Sequence, residues 1–249
     1  LDAQGFRMQV IANNLANVNT TGFKRDRASF ETLSYQMMTA PGAPSSAENR
    51  YATGLNLGTG VALNGTARID TQGTFATTGN GLDVAIDGAG YFQVEMPDGR
   101  TGYTRAGNFG RAPDGTIVTS DGKPVTPAIQ IPEDATNVSI GADGTVSATG
   151  ADGTMTELGR IEIARFANPA GLQAIGGNLL VETQASGAPQ VGGAGEEGRG
   201  TLRGGMLEGS NVNVVEELVD MIETQRAYEV NSKMISATDE MMKNASQTL

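Results

Sequence analysis

Eight Asn-Gly and Asp-Gly dipeptides crowd the middle of the chain, with Asn at 64 and 80 and Asp at 87, 98, 114, 121, 143 and 152. Such pairs favour the positive-φ turns that join antiparallel strands, because glycine, asparagine and aspartate enter the left-handed region at least cost. Turns this closely spaced leave room for short strands and little else. Apolar or alternating β-prone segments do lie between them, at Leu82–Ile86, Tyr91–Met96, Thr116–Thr119, Ala128–Ile131, Val138–Ile140 and Arg160–Phe166. The pattern predicts hairpins in a sandwich or partly open barrel over residues 70–195. With 35 Gly, 5% aromatic residues and no Trp, the chain is built from turns and small side chains rather than around a densely packed catalytic interior.

The two ends read differently. Leu1, Met8 and Leu15 fall seven apart and Ile11 and Val18 occupy the second heptad position, which predicts an amphipathic helix over residues 1–21, stopped by Gly22. At the other end Asn213-Val214-Val215-Glu216 has capping-box spacing. A long helix should follow, its apolar stripe formed by Val215, Leu218, Val219 and Ile222 and continued by Ala227, Val230, Met234, Ala237 and Met241 after a break at Gln225-Arg226. Its acidic first half and its later Lys233 and Lys243 suit the helix dipole. Thr39–Gly60 and Ser186–Gly200 read as loops, too polar and Gly-rich for a core. The expected architecture is therefore α+β: a discontinuous α-helical coiled coil from residues 1–30 and 210–249, an extended connector from 31–70 and 196–209, and a mainly antiparallel β domain over 71–195.

The composition excludes much chemistry. The chain has no Cys and no His, which removes disulfides, thiolate sites, the commonest metal ligand and the usual general base. Its few Lys residues sit in no recognisable nucleophilic motif, so no catalytic residue is expected. The Asp-Gly pairs lack EF-hand spacing and the Gly-x-Gly pairs at 58 and 88 lack a third Gly in register, so neither a metal site nor a cofactor site is expected. A net charge of −11 argues against nucleic acid. No apolar run approaches the roughly 20 residues of a membrane-spanning helix.

The terminal helices carry the sharper signal. A helix of some 20 residues is marginal alone in water and needs a partner for its apolar seam. That partner is either an intrachain helix on the β core or the seams of neighbouring chains. Asn13, Asn14, Asn17 and Asn19 bear on the choice, since a buried Asn in a coiled coil costs stability but fixes register. On the interchain reading the assembly surface comprises Met8, Ile11, Leu15, Val18 and the four Asn of the first helix, with Val215, Leu218, Val219, Ile222, Val230 and Met234 of the second.

The segment IANNLANVNTTGFKRDRASFE, Ile11 to Glu31, closely resembles the N-terminal signature of the flagellar rod and hook axial proteins of bacteria. SNVNVVEELVDMIETQRAYEVNSKMISATDEMM, Ser210 to Met242, resembles that family's C-terminal helix, and TQGTFATTGNGLDVAIDGAGYFQV and YTRAGNF match its middle. The stretch Phe30 to Val61 resembles the insertion of the family's distal rod members, which hook protein lacks. The resemblance implies a structural, non-enzymatic subunit of the basal-body distal rod, spanning the periplasm to the outer membrane. It implies export through the flagellar type III apparatus without a cleaved signal, and helical self-polymerisation beneath a rod cap. The product would be a stiff hollow shaft carrying torque from proximal rod proteins to the hook protein, inside the bushing of L and P rings. A different rod or hook subunit is the alternative within the family; a secreted β-domain adhesin or binding module would leave both terminal seams without purpose.

Overall fold

The computed structural model describes residues 1–40 and 53–247. Its elements are two helices, α1 (Asp2–Ala16) and α2 (Val214–Gln247), with short strands between them. The chain divides into two compact units, Leu1–Asn13 with Asp26–Ala67 and Val215–Leu249, and Asn14–Arg25 with Arg68–Val214. Residues 26–30 and the connector residues 31–67 thus group with the helices, and residues 14–25 with the β middle.

The β unit is organised by a six-stranded sheet in the order Gln173–Gly176, Leu179–Val181, Thr101–Thr104, Tyr91–Glu95, Glu162–Arg165, Gln190–Gly193, every neighbour antiparallel. Successive residues of a strand point to opposite faces, and Tyr91-Phe92-Gln93-Val94 is buried throughout because both faces are covered. On one face Phe92, Val94 and Ile163 join the main core with Val84, Ile86 and Leu202. On the other, Tyr91, Tyr103, Ala164 and Phe166 form a second cluster in which Phe166 meets Tyr103 edge-on at 4.8 Å. Each buried Val, Ile, Leu or Phe side chain among these contributes roughly 1.5–3 kcal/mol by leaving water. A three-stranded meander, Ala135–Ile140, Thr145–Gly150 and Met155–Arg160, adds Val146 and Ile140 to the main core.

The Asp-Gly turns form as their chemistry dictates. In those at 98, 114, 143 and 152 the Asp carboxylate accepts from the amide two residues on, and the glycine takes a positive φ. Asn64-Gly65 departs from expectation: it lies inside the strand Val61–Arg68. Ala128–Ile131 forms no strand either, contributing one bridge between Thr116 and Gln130.

Ser186–Gly200 is no linker. Gln190–Gly193 is an edge strand of the main sheet, and its glycines exist for their neighbours. A Cβ on Gly192 or Gly193 would enter the guanidinium of Arg199 or Arg160, which lie against the bare backbone. Those arginines in turn pair with Glu197 and Glu196 of the following turn, each at 3.0 Å.

In the helical unit, Asp26–Thr32 pairs with Val61–Arg68 and Tyr35–Thr39 with Leu55–Gly58. The connector is therefore two strand pairs; the rest of the expected Thr39–Gly60 loop, residues 41–52, lies outside the described residues. α1 ends at Ala16, five residues short of expectation, because Asn17 to Gly22 fold into successive turns. Asn is suited to such turns, and Asn17 Oδ1 accepts from Thr20 Oγ1 at 3.1 Å. Gly22 closes them at φ +70°, where an added Cβ would stand 2.6 Å from the Ala106 nitrogen. α2 runs unbroken through Gln225-Arg226 for 34 residues, about 51 Å.

The buried tyrosines give the β unit an alkaline limit. Tyr91 donates to Asp70 Oδ1 at 3.1 Å, and burial, reinforced by the Asp70 charge, holds its phenol far above the ordinary value. Burial and, secondarily, Glu182 raise Tyr103 likewise. The folded chain keeps these protons where the unfolded chain releases them near pH 10, so stability falls as pH rises beyond about 10. Lys24 acts oppositely: burial lowers its pKa, so its contribution improves as pH approaches about 10.5. Absorbance at 295 nm should show Tyr91 ionising only together with alkaline unfolding and Tyr103 ionising above the ordinary tyrosine range, and Tyr91→Phe should remove the step tied to unfolding. Gradual ionisation of all five tyrosines in the folded chain would contradict this.

Candidate assembly interface

The sequence places apolar residues on one stripe of α2, and the structure turns that stripe outward. Val215, Leu218, Val219, Ile222, Val230 and Met234 are all exposed. The side turned inward carries its most deeply buried residues in polar Glu217 and Thr224, 2% and 1% exposed, with half-buried Asp220, Met221 and Ala227 beside them; Asp220 accepts from Arg7 of α1 at 3.2 Å. Residues 217, 220, 221, 224 and 227 follow the three-four spacing of a single helical face. α2 thus leaves most of its apolar stripe uncovered by its own chain, unlike a helix that covers its own domain's core. Burying its apolar stripe requires a surface from outside.

The α1 residues are distributed differently. Ile11 and Asn14 are buried within the chain, at 4% and 2% exposure, so they present no surface to a neighbour. Met8, Leu15, Asn17 and Val18 are half-buried, and Asn13 and Asn19 exposed. Asn17, Val18 and Asn19 fall beyond the helix end, where a heptad position has no meaning because the backbone has left the helix.

The strand pairs of the connector add a surface that helical periodicity missed. Met37 and Met38 are neighbours in one strand and must point to opposite faces, yet both are 63% exposed. Tyr35, Leu55 and Leu57 beside them are exposed as well. A two-stranded ribbon of this kind is marginal in water. Large apolar side chains on both sides of a ribbon are the signal in the sequence that could have found it. Among the described residues, ten of the exposed large apolar side chains lie in residues 1–63 and ten in 215–242, against four elsewhere. Large exposed apolar surface is a feature of protein–protein interaction sites.

Comparisons with known proteins place the chain in a family. Family models for flagella basal body rod protein, flagellar hook protein FlgE/F/G D1 domain and flagellar basal body rod FlgEFG protein C-terminal match residues 1–24, 85–148 and 203–248. The flagellar basal-body rod protein FlgG of Buchnera aphidicola (subspecies Acyrthosiphon pisum) is 50% identical over 99% of this chain and 95% of its own length. That of Agrobacterium fabrum is 48% identical over 100% of this chain and 96% of its own. The chain belongs to the flagellar basal-body rod protein family.

It is therefore a structural subunit of the bacterial flagellar basal body. In this rod protein the matched segments at the two ends contain both helices, and the central one contains the main-sheet strands Tyr91–Glu95 and Thr101–Thr104. No helix of the described residues is long and apolar enough to cross a membrane. No group of three or more His, Cys, Asp or Glu among them stands ready to hold a metal ion.

Proposed function

We propose that this rod protein is a distal rod subunit that polymerises helically into a stiff hollow shaft transmitting motor torque to the hook. The carrying observation is α2, about 51 Å long, whose stripe of Val215, Leu218, Val219, Ile222, Val230 and Met234 is left exposed and whose residues 228–245 are exposed on every side. Such a helix gains its hydrophobic stabilisation when neighbouring copies cover it, so ordering of the unit is coupled to assembly. Repeated contacts between different patches of successive subunits generate a helix rather than a closed ring. On this reading α1 and α2 form coiled-coil contacts around the channel. The ribbon of Tyr35–Thr39 and Leu55–Gly58 lies between subunits and limits the sliding that would let the shaft bend. Self-association is the principal contact; proximal rod proteins, hook protein, the L and P rings, the rod cap and the type III export apparatus are the further partners. No catalytic step enters this role.

Electron cryo-microscopy of the chain under polymerising conditions tests the reading. The expected result is straight tubes with α2 stripes buried between subunits. Monomers at every concentration, or polymers in which residues 215–234 stay solvated, would overturn it.

A further inference from the structure

Two segments distant in sequence, the turns that follow α1 and the strand that precedes α2, are locked together inside the β unit. Glu208 is fully buried and both of its oxygens are engaged: Oε1 accepts from Lys24 Nζ and from the Gly73 amide at 3.0 Å, and Oε2 accepts from Arg105 Nε at 3.0 Å. Lys24 also donates to the Thr71 carbonyl at 2.8 Å, and Arg105 to those of Gly88 and Gly90 at 2.8 and 2.7 Å. The backbone extends the join. The Gly22 amide donates to the Glu208 carbonyl at 2.8 Å, and the Arg25 amide to Asn211 Oδ1 at 2.7 Å. Asn211 Nδ2 in turn donates to the Ile69 carbonyl at 2.8 Å.

One carboxylate thus stands between two buried cations. Without it, Lys24 and Arg105 lose their shared counterion, a state far more costly than the absence of all three charges. The two cations are not equally held. Arg105 directly follows the sheet strand Thr101–Thr104, whereas Lys24 belongs to residues 17–25, which form turns and no strand or helix. Relief comes by release of the second.

We propose that this cluster is a completion clasp: residues 17–25 stay docked on the β unit only while Met206–Glu208 is paired with Phe75–Thr77. A chain whose last strands are unfolded or missing then leaves residues 17–25 undocked, so this part of the β unit is complete only in a finished subunit. Glu208 holds Lys24 against a desolvation that lowers the lysine's pKa and that the nearby Arg105 reinforces. The value of such a check to a subunit that must not assemble early rests on the rod reading; the clasp itself rests on contacts within one unit.

Native-state hydrogen exchange on the full chain, kept monomeric, tests it with Glu208→Gln and Asn211→Ala. Protection of the Gly22 and Arg25 amides should fall by roughly 100-fold in Glu208→Gln and about tenfold in Asn211→Ala, while Phe92 and Ile163 in the main sheet keep theirs. Asn211→Ala exposes no buried charge and carries the test if Glu208→Gln fails to fold. Unchanged protection at Gly22 and Arg25, or loss in step with Phe92 and Ile163, would overturn the clasp. Polymer formation does not enter this measurement, so failure of the rod reading would leave its outcome intact.

Discussion

A chain carrying Leu218→Asp and Ile222→Asp together should keep its fold and lose its ability to polymerise. Both side chains are exposed in the isolated chain, and surface substitutions of that kind change stability by no more than about 0.5 kcal/mol. Assembly is another matter. If neighbouring copies cover the stripe, two carboxylates one helical turn apart would be taken out of water without partners. At about 2 kcal/mol each, the critical concentration would rise by roughly 1,000-fold. Sedimentation of the variant beside the parent measures the shift, and thermal unfolding of the monomers shows whether the fold is intact. Equal pelleting would mean that the stripe faces solvent in the polymer too, and the reading of α2 would be wrong.

Gly107→Ala should be among the most damaging single-methyl changes available to the β unit. Gly107 lies in the YTRAGNF stretch, and its carbonyl accepts from the Val84 amide at 3.0 Å. A Cβ there would fall well inside the van der Waals shell of the Val84 carbonyl oxygen, and at 3.1 Å from the ring of Phe92. A backbone carbonyl cannot swing aside as a side chain can. Relief therefore requires shifting the strand Val84–Asp87, whose first and third residues are fully buried in the main core. The expected cost is about 3 kcal/mol, or roughly 6–12 °C in melting temperature. Differential scanning calorimetry of the monomer measures it; a shift below about 2 °C would show that the strand moves freely.

The same stretch shows how a motif legible in sequence acquires its reasons only in three dimensions. Tyr103 packs against Phe166, Arg105 reaches Glu208, Gly107 admits the Val84 backbone and Phe109 meets Phe92 edge-on at 5.0 Å. None of these partners is a sequence neighbour. Glu208, separated from Lys24 by 184 positions, looks in the sequence like any surface carboxylate. Its burial depends on what folds around it.

Sequence alone determined what depends on short range. Helical ends follow from apolar spacing, antiparallel strands from Asp-Gly turns, and membership of the rod family from the stretches that matched. Where local chemistry competed with periodicity, as at Asn17, the turn prevailed and the helix stopped early. Tertiary structure decided which side of each element is covered. It buried Ile11 and Asn14, left the α2 stripe open, exposed both faces of the connector ribbon and made a sheet edge of the Gly-rich Gln190–Gly193. The physical reason is that periodicity fixes which residues share a face, whereas burial of that face depends on surfaces brought in from distant parts of the chain, or from another chain.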